Sequence, residues 1–290
     1  MDAIILAGGE TPEKLSAALG ASTPAERALL EINGRKTIDI ILESFIGVSE
    51  IKNIVVVGGP STLQAIQNSL PKVIGVAARS TLVENIMAGA NAGASSQLLL
   101  CTCDIPLITP ATWREFLGAV EKRNLEAAYC IASRQGVEAS FPEGKRTYAT
   151  LTDGTFTGGN AFVLPRAGME QLKGLIDAGY RARKNPLGLA RLLGPGFVFK
   201  AVTKKLSIAD LEAKASQILK CRAGAVLMKD ASLAFDVDKI EDYKLAKKVL
   251  AQSTPRQNFF RQFVIFYFID IKGQAGVFHQ NGSGAALQNL

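Results

Sequence analysis

Five short apolar runs, separated by stretches of helical spacing, restrict this chain more than any other feature. They are Ala3–Ala7, NIVVV at Asn53–Val57, KVIGVAA at Lys72–Ala78, QLLLCTC at Gln97–Cys103 and AAYCIA at Ala127–Ala132. The segments Thr37–Phe45, Ser61–Ser69, Leu82–Ala92 and Pro110–Lys122 read as helices between them. Strands alternating with helices predict parallel βαβ units with right-handed crossovers, an α/β protein. The last of these helices has a clear start, because Thr109 can cap it and Pro110 stands in the first turn where no amide donor is needed.

After residue 132 the pattern changes. Thr147–Pro165 reads as two strand-like arms around the turn dipeptide Asp153-Gly154, which predicts an antiparallel hairpin inserted on the sheet. A helix at Ala167–Arg183, a strand at Phe197–Thr203, a helix from Ser207 to Leu219, a strand at Ala223–Met228 and a final helix at Ile240–Leu250 are expected next. The simplest division is one domain over residues 1–252, followed by a tail, 253–290, dense in aromatics at FFRQFVIFYFID and without an assigned structure or role.

Composition narrows the chemistry. The chain has one histidine, His279 in the tail, so a Ser-His-Asp triad, a Cys-His pair and a histidine zinc site are all excluded from the body of the protein. Reaction chemistry must then run on carboxylates, cations and backbone amides. The net charge of +7 suits nucleic acid, an anionic membrane or small phosphorylated substrates. Nucleic acid is not expected as a partner, since the basic residues are dispersed and no run mixes them with aromatics. Cys101, Cys103, Cys130 and Cys221 form no paired Cys-x-x-Cys motif and read as free thiols in a reducing compartment. With no leader pattern at the N-terminus and no apolar stretch of ~18 residues, the expected location is the cytoplasm, away from the membrane.

Candidate site residues gather at strand ends, where ligands bind in parallel α/β sheets. Gly8 and Gly9 follow the first strand and admit either a ligand or a second backbone segment, though an ordinary tight turn would use the same residues. Asp104 ends QLLLCTCD, where burial without a partner or metal would be costly; its alternative role is to cap a turn ahead of Pro106. Asp236 and Asp238 end another apolar run and precede a helix, which Asp residues also commonly cap. Two carboxylates from distant strand ends can hold one Mg²⁺ while leaving room for phosphates.

Taken in order, LAGG, ERALLEINGRKTIDIIL, IVVVGG, CDIPLITP, TGGNAF and FDVDKIEDYKLA resemble the nucleotidyltransferases of the Rossmann-like, glycosyltransferase-A-type fold. Within them the match is to the group similar to molybdenum cofactor guanylyltransferase, the MobA-like NTP transferases, over roughly residues 1–250. The resemblance implies an NTP lying over Leu6, Ala7, Gly8 and Gly9, attacked at its α-phosphate by an acceptor oxygen with release of pyrophosphate. It also implies Mg²⁺ held by Asp104 and Asp238, with Asp236 the less favoured ligand, and a base and ribose pocket near Ser80, Thr81 and Asn85. Gly158 and Gly159 of TGGN permit close backbone approach and would meet the acceptor, and the Asn160 amide would position the acceptor or a ribose.

The sequence departs from the family in the loop after LAGG, which is long here (GETPEKLSAALGASTPAERALLEINGRK) and lacks the usual compact Arg-Gly pattern. Arg27 stands where the family carries a lysine, and Lys14 and Lys36 are further candidate cations. An arginine there binds phosphate as a planar fork. Each of these positions also has a plainer explanation: Arg27 pairing with Glu26 or Glu31, the TGGN glycines forming a bulge, Ser80 and Thr81 capping a helix, and Arg181, Arg183 and Lys184 forming a solvated face. Two other functions stay open, a nucleotide-sugar glycosyltransferase and a non-catalytic nucleotide-binding protein of the same fold. The first lacks the expected Asp-x-Asp, since Thr102 stands two residues before Asp104. A dinucleotide oxidoreductase lacks its G-x-G-x-x-G loop.

Overall fold

A computed structural model describes residues 1–252 apart from 68, 70–72, 145, 168, 170–172 and 175–193. The chain divides into a unit Met1–Val249 and a remainder Leu250–Leu290; the sheet and the candidate site belong to the first. In chain order the strands are β1 (Asp2–Ala7), β2 (Glu31–Ile32), β3 (Arg35–Lys36), β4 (Asn53–Gly58), β5 (Val73–Ala77), β6 (Gln97–Thr102), β7 (Ala127–Ser133), β8 (Ala149–Leu151), β9 (Gly154–Pro165) and β10 (Ala223–Met228). The helices are α1 (Glu13–Leu19), α2 (Thr37–Ser44), α3 (Pro60–Ala65), α4 (Leu82–Ala92), α5 (Pro110–Lys122), α6 (Arg134–Ser140), α7 (Pro195–Val202), α8 (Ile208–Leu219) and α9 (residues 240–252).

The main sheet has the order β10-β7-β9-β6-β1-β4-β5, with β8 hydrogen-bonded to β9; β2 and β3 make a separate antiparallel pair. Strands β5, β4, β1 and β6 are mutually parallel, as are β7 and β10. Both faces of the central strands are covered, which explains their unbroken apolar runs. Ala3, Ile5, Val56 and Leu99 join one cluster with Ile38, Ile41, Trp113 and Phe116 from α2 and α5. Ile4, Val55, Val57 and Leu100 join another with Val83, Ile86 and Met87 of α4. Trp113 is fully buried, stacks on Phe45 with centroids 4.8 Å apart and donates from Nε1 to Ser44 Oγ at 2.7 Å.

Three features differ from the sequence expectation. The apolar run ahead of Asp236 and Asp238 forms a 3-10 turn, Ala231–Ala234, and not a strand, so of the three acids only Asp104 follows a strand of the sheet. The second hairpin arm does not lie on the sheet but enters it, as β9 runs antiparallel between β6 and β7. The strand expected at Phe197–Thr203 is the helix α7; its apolar, β-branched sequence mimics a strand, but Pro195 opens a helical turn and no sheet edge receives the segment. Phe199 and Val202 on it are exposed. Most of the helix expected at 167–183, with Arg181, Arg183 and Lys184, lies outside the described residues, as does the tail 253–290. The four cysteines are free thiols, three of them buried. No helix of the described residues is long and apolar enough to cross a membrane.

Candidate active site

The sheet register brings the candidate residues to one end. Leu6 lies opposite Val57 and Thr102, and Ala7 opposite Gly58, so the turn after β1, the Gly58-Gly59 turn and Asp104 leave the sheet side by side. Because β9 runs the other way, with Ala161 opposite Cys101, its preceding residues 158–160 extend past the same end of β6. A backbone hydrogen bond from Val237 N to Asp104 O, 2.9 Å, then fastens the 236–238 stretch to Asp104. One carboxylate oxygen from each of Asp104, Asp236 and Asp238 lies within 4.8 Å of the others. The set is oxygen-only, as a hard divalent cation requires.

Arg27 reaches this cluster by way of the long loop. Residues 10–26 leave the sheet, form α1 and return: Glu10 bridges Glu26, Thr11 N donates to Ala25 O at 2.8 Å, and Arg27 N donates to Gly9 O at 3.0 Å. The excursion therefore closes on itself and delivers Arg27 beside the glycine turn. Its guanidinium forks across the acids. Nη1 meets Asp104 Oδ2 at 2.8 Å, and Nη2 donates to Asp238 and, at 2.6 Å, to Val237 O. Glu26 is not its partner; that carboxylate accepts from Ser61 N and Thr62 N at the start of α3. Lys14 is exposed on α1, Lys36 precedes α2, and the ion pairs of the cluster acids among the described residues are with Arg27 and Arg146.

The charges shape one another. Burial alone would lower the Arg27 pKa, but Asp104 and Asp238 more than offset it and hold the group charged. Asp238 feels burial upward, yet the charge and hydrogen bond of Arg27 bring it below the usual carboxylate range. Asp236 goes the other way, to about 6, chiefly through burial, with Arg146 opposing and Asp238 and Asp104 adding repulsion. Asp104 is 8% exposed and its Oδ1 also accepts from Thr102 Oγ1 at 2.5 Å.

Arg146 was not apparent from the sequence, because nothing local marks it. From the segment before β8 it donates to Ala234 O (3.1 Å), Asp236 O (2.8 Å) and Asp242 Oδ1 (3.1 Å), and its guanidinium lies over the Phe235 ring. It thereby ties down the loop that carries two of the three acids. Arg146 also walls a cavity of about 660 Å³ lined with Arg134, Glu138, Pro142, Gly144 and Tyr148. The Tyr148 hydroxyl is buried and lacks a hydrogen-bond partner among the described residues.

Of the remaining candidates, Gly8, Asn85, Thr81, Gly158, Gly159 and Asn160 are held by contacts within the fold. A Cβ on Gly8 would stand 2.7 Å from Ala78 Cβ, so its glycine is required by that packing, whereas Gly9 faces open space. Asn85 clamps the backbone of Arg79, accepting from its N at 2.6 Å and donating to its O at 3.3 Å. This fixes the exposed Arg79, another cation overlooked in the sequence, just beyond β5. Thr81 caps α4 in a capping box with Glu84, and Ser80 is exposed beside it. A Cβ on Gly158 would collide with the Tyr129 hydroxyl and one on Gly159 with Cys130 Sγ, and Asn160 donates to Leu233 O at 3.1 Å.

Residues 3–191 match the model of the MobA-like NTP transferase domain. The chain belongs to the MobA-like NTP transferase family. Among solved structures it is similar to a hypothetical transferase from Thermus thermophilus, with 31% identity and a TM-score of 0.71 over 83% of this chain and 98% of that one. It shares its fold with CMP:2-keto-3-deoxy-manno-octonic acid synthetase complexed with CTP (15% identity, TM-score 0.53, 87% of this chain and 98% of that one). The same holds for 4-diphosphocytidyl-2C-methyl-D-erythritol synthase from Anaerococcus prevotii (15% identity, TM-score 0.52, 86% and 97%). No curated protein sequence matches the chain. This MobA-like chain is thus an NTP transferase with a mostly parallel sheet, and its acids and its Arg27 stand at the sheet end that ligands occupy in such folds.

Proposed function

We propose that this MobA-like NTP transferase moves a nucleotidyl group from an NTP to a phosphorylated small-molecule acceptor, with Mg²⁺ and release of pyrophosphate, in the cytoplasm. The observation that carries the reading is the convergence of Asp104, Asp236 and Asp238 within 4.8 Å, next to the open Gly9 turn. When bound by these carboxylates, Mg²⁺ would offset charge on the reacting phosphates. Leu6 to Gly9 and the Arg79 loop clamped by Asn85 line the nucleotide side of the acids, with Ser80 and Thr81 at its border. Arg27 offers a fork to phosphate oxygens, and aligning two substrates supplies most of the remaining acceleration.

On the other side of the acids, the acceptor's anionic group enters the cavity of Arg134, Arg146 and Tyr148, with Gly158, Gly159 and Asn160 as the further candidates for contact with the acceptor. Arg134 donates to Glu138 through Nε, and its terminal nitrogens have no hydrogen-bond partner among the described residues, so they can meet an anion. The decisive test is incubation with each NTP, Mg²⁺ and a pool of phosphorylated acceptors, reading pyrophosphate. Asp104→Asn should lower release by about 10²–10³-fold, the scale of one lost electrostatic contact to the transition state. Release that is unchanged in the variant would defeat the assignment.

A further inference from the structure

Arg27 occupies the space between Asp104 and Asp238 that a divalent cation would need. It contacts both carboxylates and the Val237 carbonyl, and its side chain is only 16% exposed. The Nε of the same guanidinium is buried with no hydrogen-bond partner among the described residues, so the fork satisfies the acids at its own expense. Two positive charges cannot share this small carboxylate set at full strength, because the acids neutralised by one are lost to the other.

We propose that Arg27 is an internal cation that holds the acid pair closed to metal until a nucleotide arrives, so the enzyme takes its divalent ion together with the NTP and not before. This rests on the proposed function above. A triphosphate brings several negative charges to the Gly9 turn, where Arg27 is anchored by its backbone bond to Gly9 O. The guanidinium then has an anion of higher charge to pair with and can leave the acids. Its backbone stays fixed while its side chain changes partner. Ligands coupled through such an exchange alter one another's affinity by about 5–150-fold.

The test is Mn²⁺ binding to the full chain without nucleotide, followed by electron paramagnetic resonance of the free ion. The unaltered chain should bind weakly; Arg27→Gln should bind at least about tenfold more tightly, and Asp104→Asn added to it should remove the gain. Arg27→Lys keeps one charge but loses the fork, so an intermediate gain is expected, and it serves as the readout should the Gln variant not fold. Equal, Asp104-dependent affinity in the unaltered chain and in the Arg27 variants would overturn the proposal while leaving the carboxylate site intact. No Asp104-dependent Mn²⁺ binding in any of them, with or without NTP, would overturn both this proposal and the metal reading on which it rests.

Discussion

At the scale of single residues, the acids and arginines of this site have distinct tasks that substitution can separate. Arg134→Ala should raise KM for a phosphorylated acceptor by about tenfold, the loss of one charged contact, with little change in kcat and none in Mn²⁺ affinity. Steady-state kinetics with varied acceptor would check it. Asp236 has its folded pKa raised to about 6 from an ordinary 3.8, so folding favours its protonated form. The carboxyl therefore costs no stability below about pH 4 and costs progressively more as the pH rises through about 6. Asp236→Asn should accordingly raise the metal-free melting temperature at pH 7.5 and leave it unchanged at pH 3.5, as thermal melts at the two values would report. Asp104 and Asp238 were legible in the sequence, because a carboxylate ending an apolar run has few cheap places to go. Arg146 was not: its partners lie about ninety residues away, and only the folded chain shows that it holds the acid loop.

At the scale of elements, the sheet is tied together at the end opposite the site by one buried carboxylate. Asp2 at the start of β1 accepts from Ala94 N and Ser95 N (both 2.8 Å), Ser95 Oγ (2.7 Å) and Asn53 Nδ2 (2.9 Å), and pairs with Arg166 after β9. Burial pushes its pKa up, but these hydrogen bonds prevail and hold it at about 2. A folded pKa below the ordinary 3.8 gives stability that is complete above about pH 5 and disappears as the pH falls towards 2. Asp2→Asn should thus lower the melting temperature at pH 7 and converge with the unaltered protein near pH 2. The parallel strands and α2, α4, α5 and α8 were readable from periodicity and caps. β9 and α7 were only partly so, since an apolar β-branched segment says that it will be buried or extended but not which neighbour will receive it. Nothing local in TFTGGNAFVLP states that the arm enters the sheet reversed; Tyr129 and Cys130 packing over Gly158 and Gly159 is visible only afterwards.

At the scale of the whole molecule, one reversed strand, β9, separates the parallel set β5-β4-β1-β6 from the pair β7-β10. On the proposed reading, the nucleotide would rest on the parallel strands β1, β4 and β5 and the acceptor on β7 and β9, with the three acids between them. NTP and Mg²⁺ added together should raise the melting temperature more than the sum of their separate effects, because a ligand stabilises only the folded form it binds. The excess should disappear in Asp104→Asn. The lone histidine, legible at once, had already confined the chemistry to charges of this kind.

The closed excursion between Glu10 and Glu26 has a consequence of its own. A chain that departs and comes back to the same doorway fixes what stands at that doorway, whatever its route outside. Replacing residues 11–25 by a short turn, with an apolar residue restored where Leu15 is buried, would leave the guanidinium at its address. Where the cation is delivered thus depends on the two ends of the excursion and not on the spelling between them.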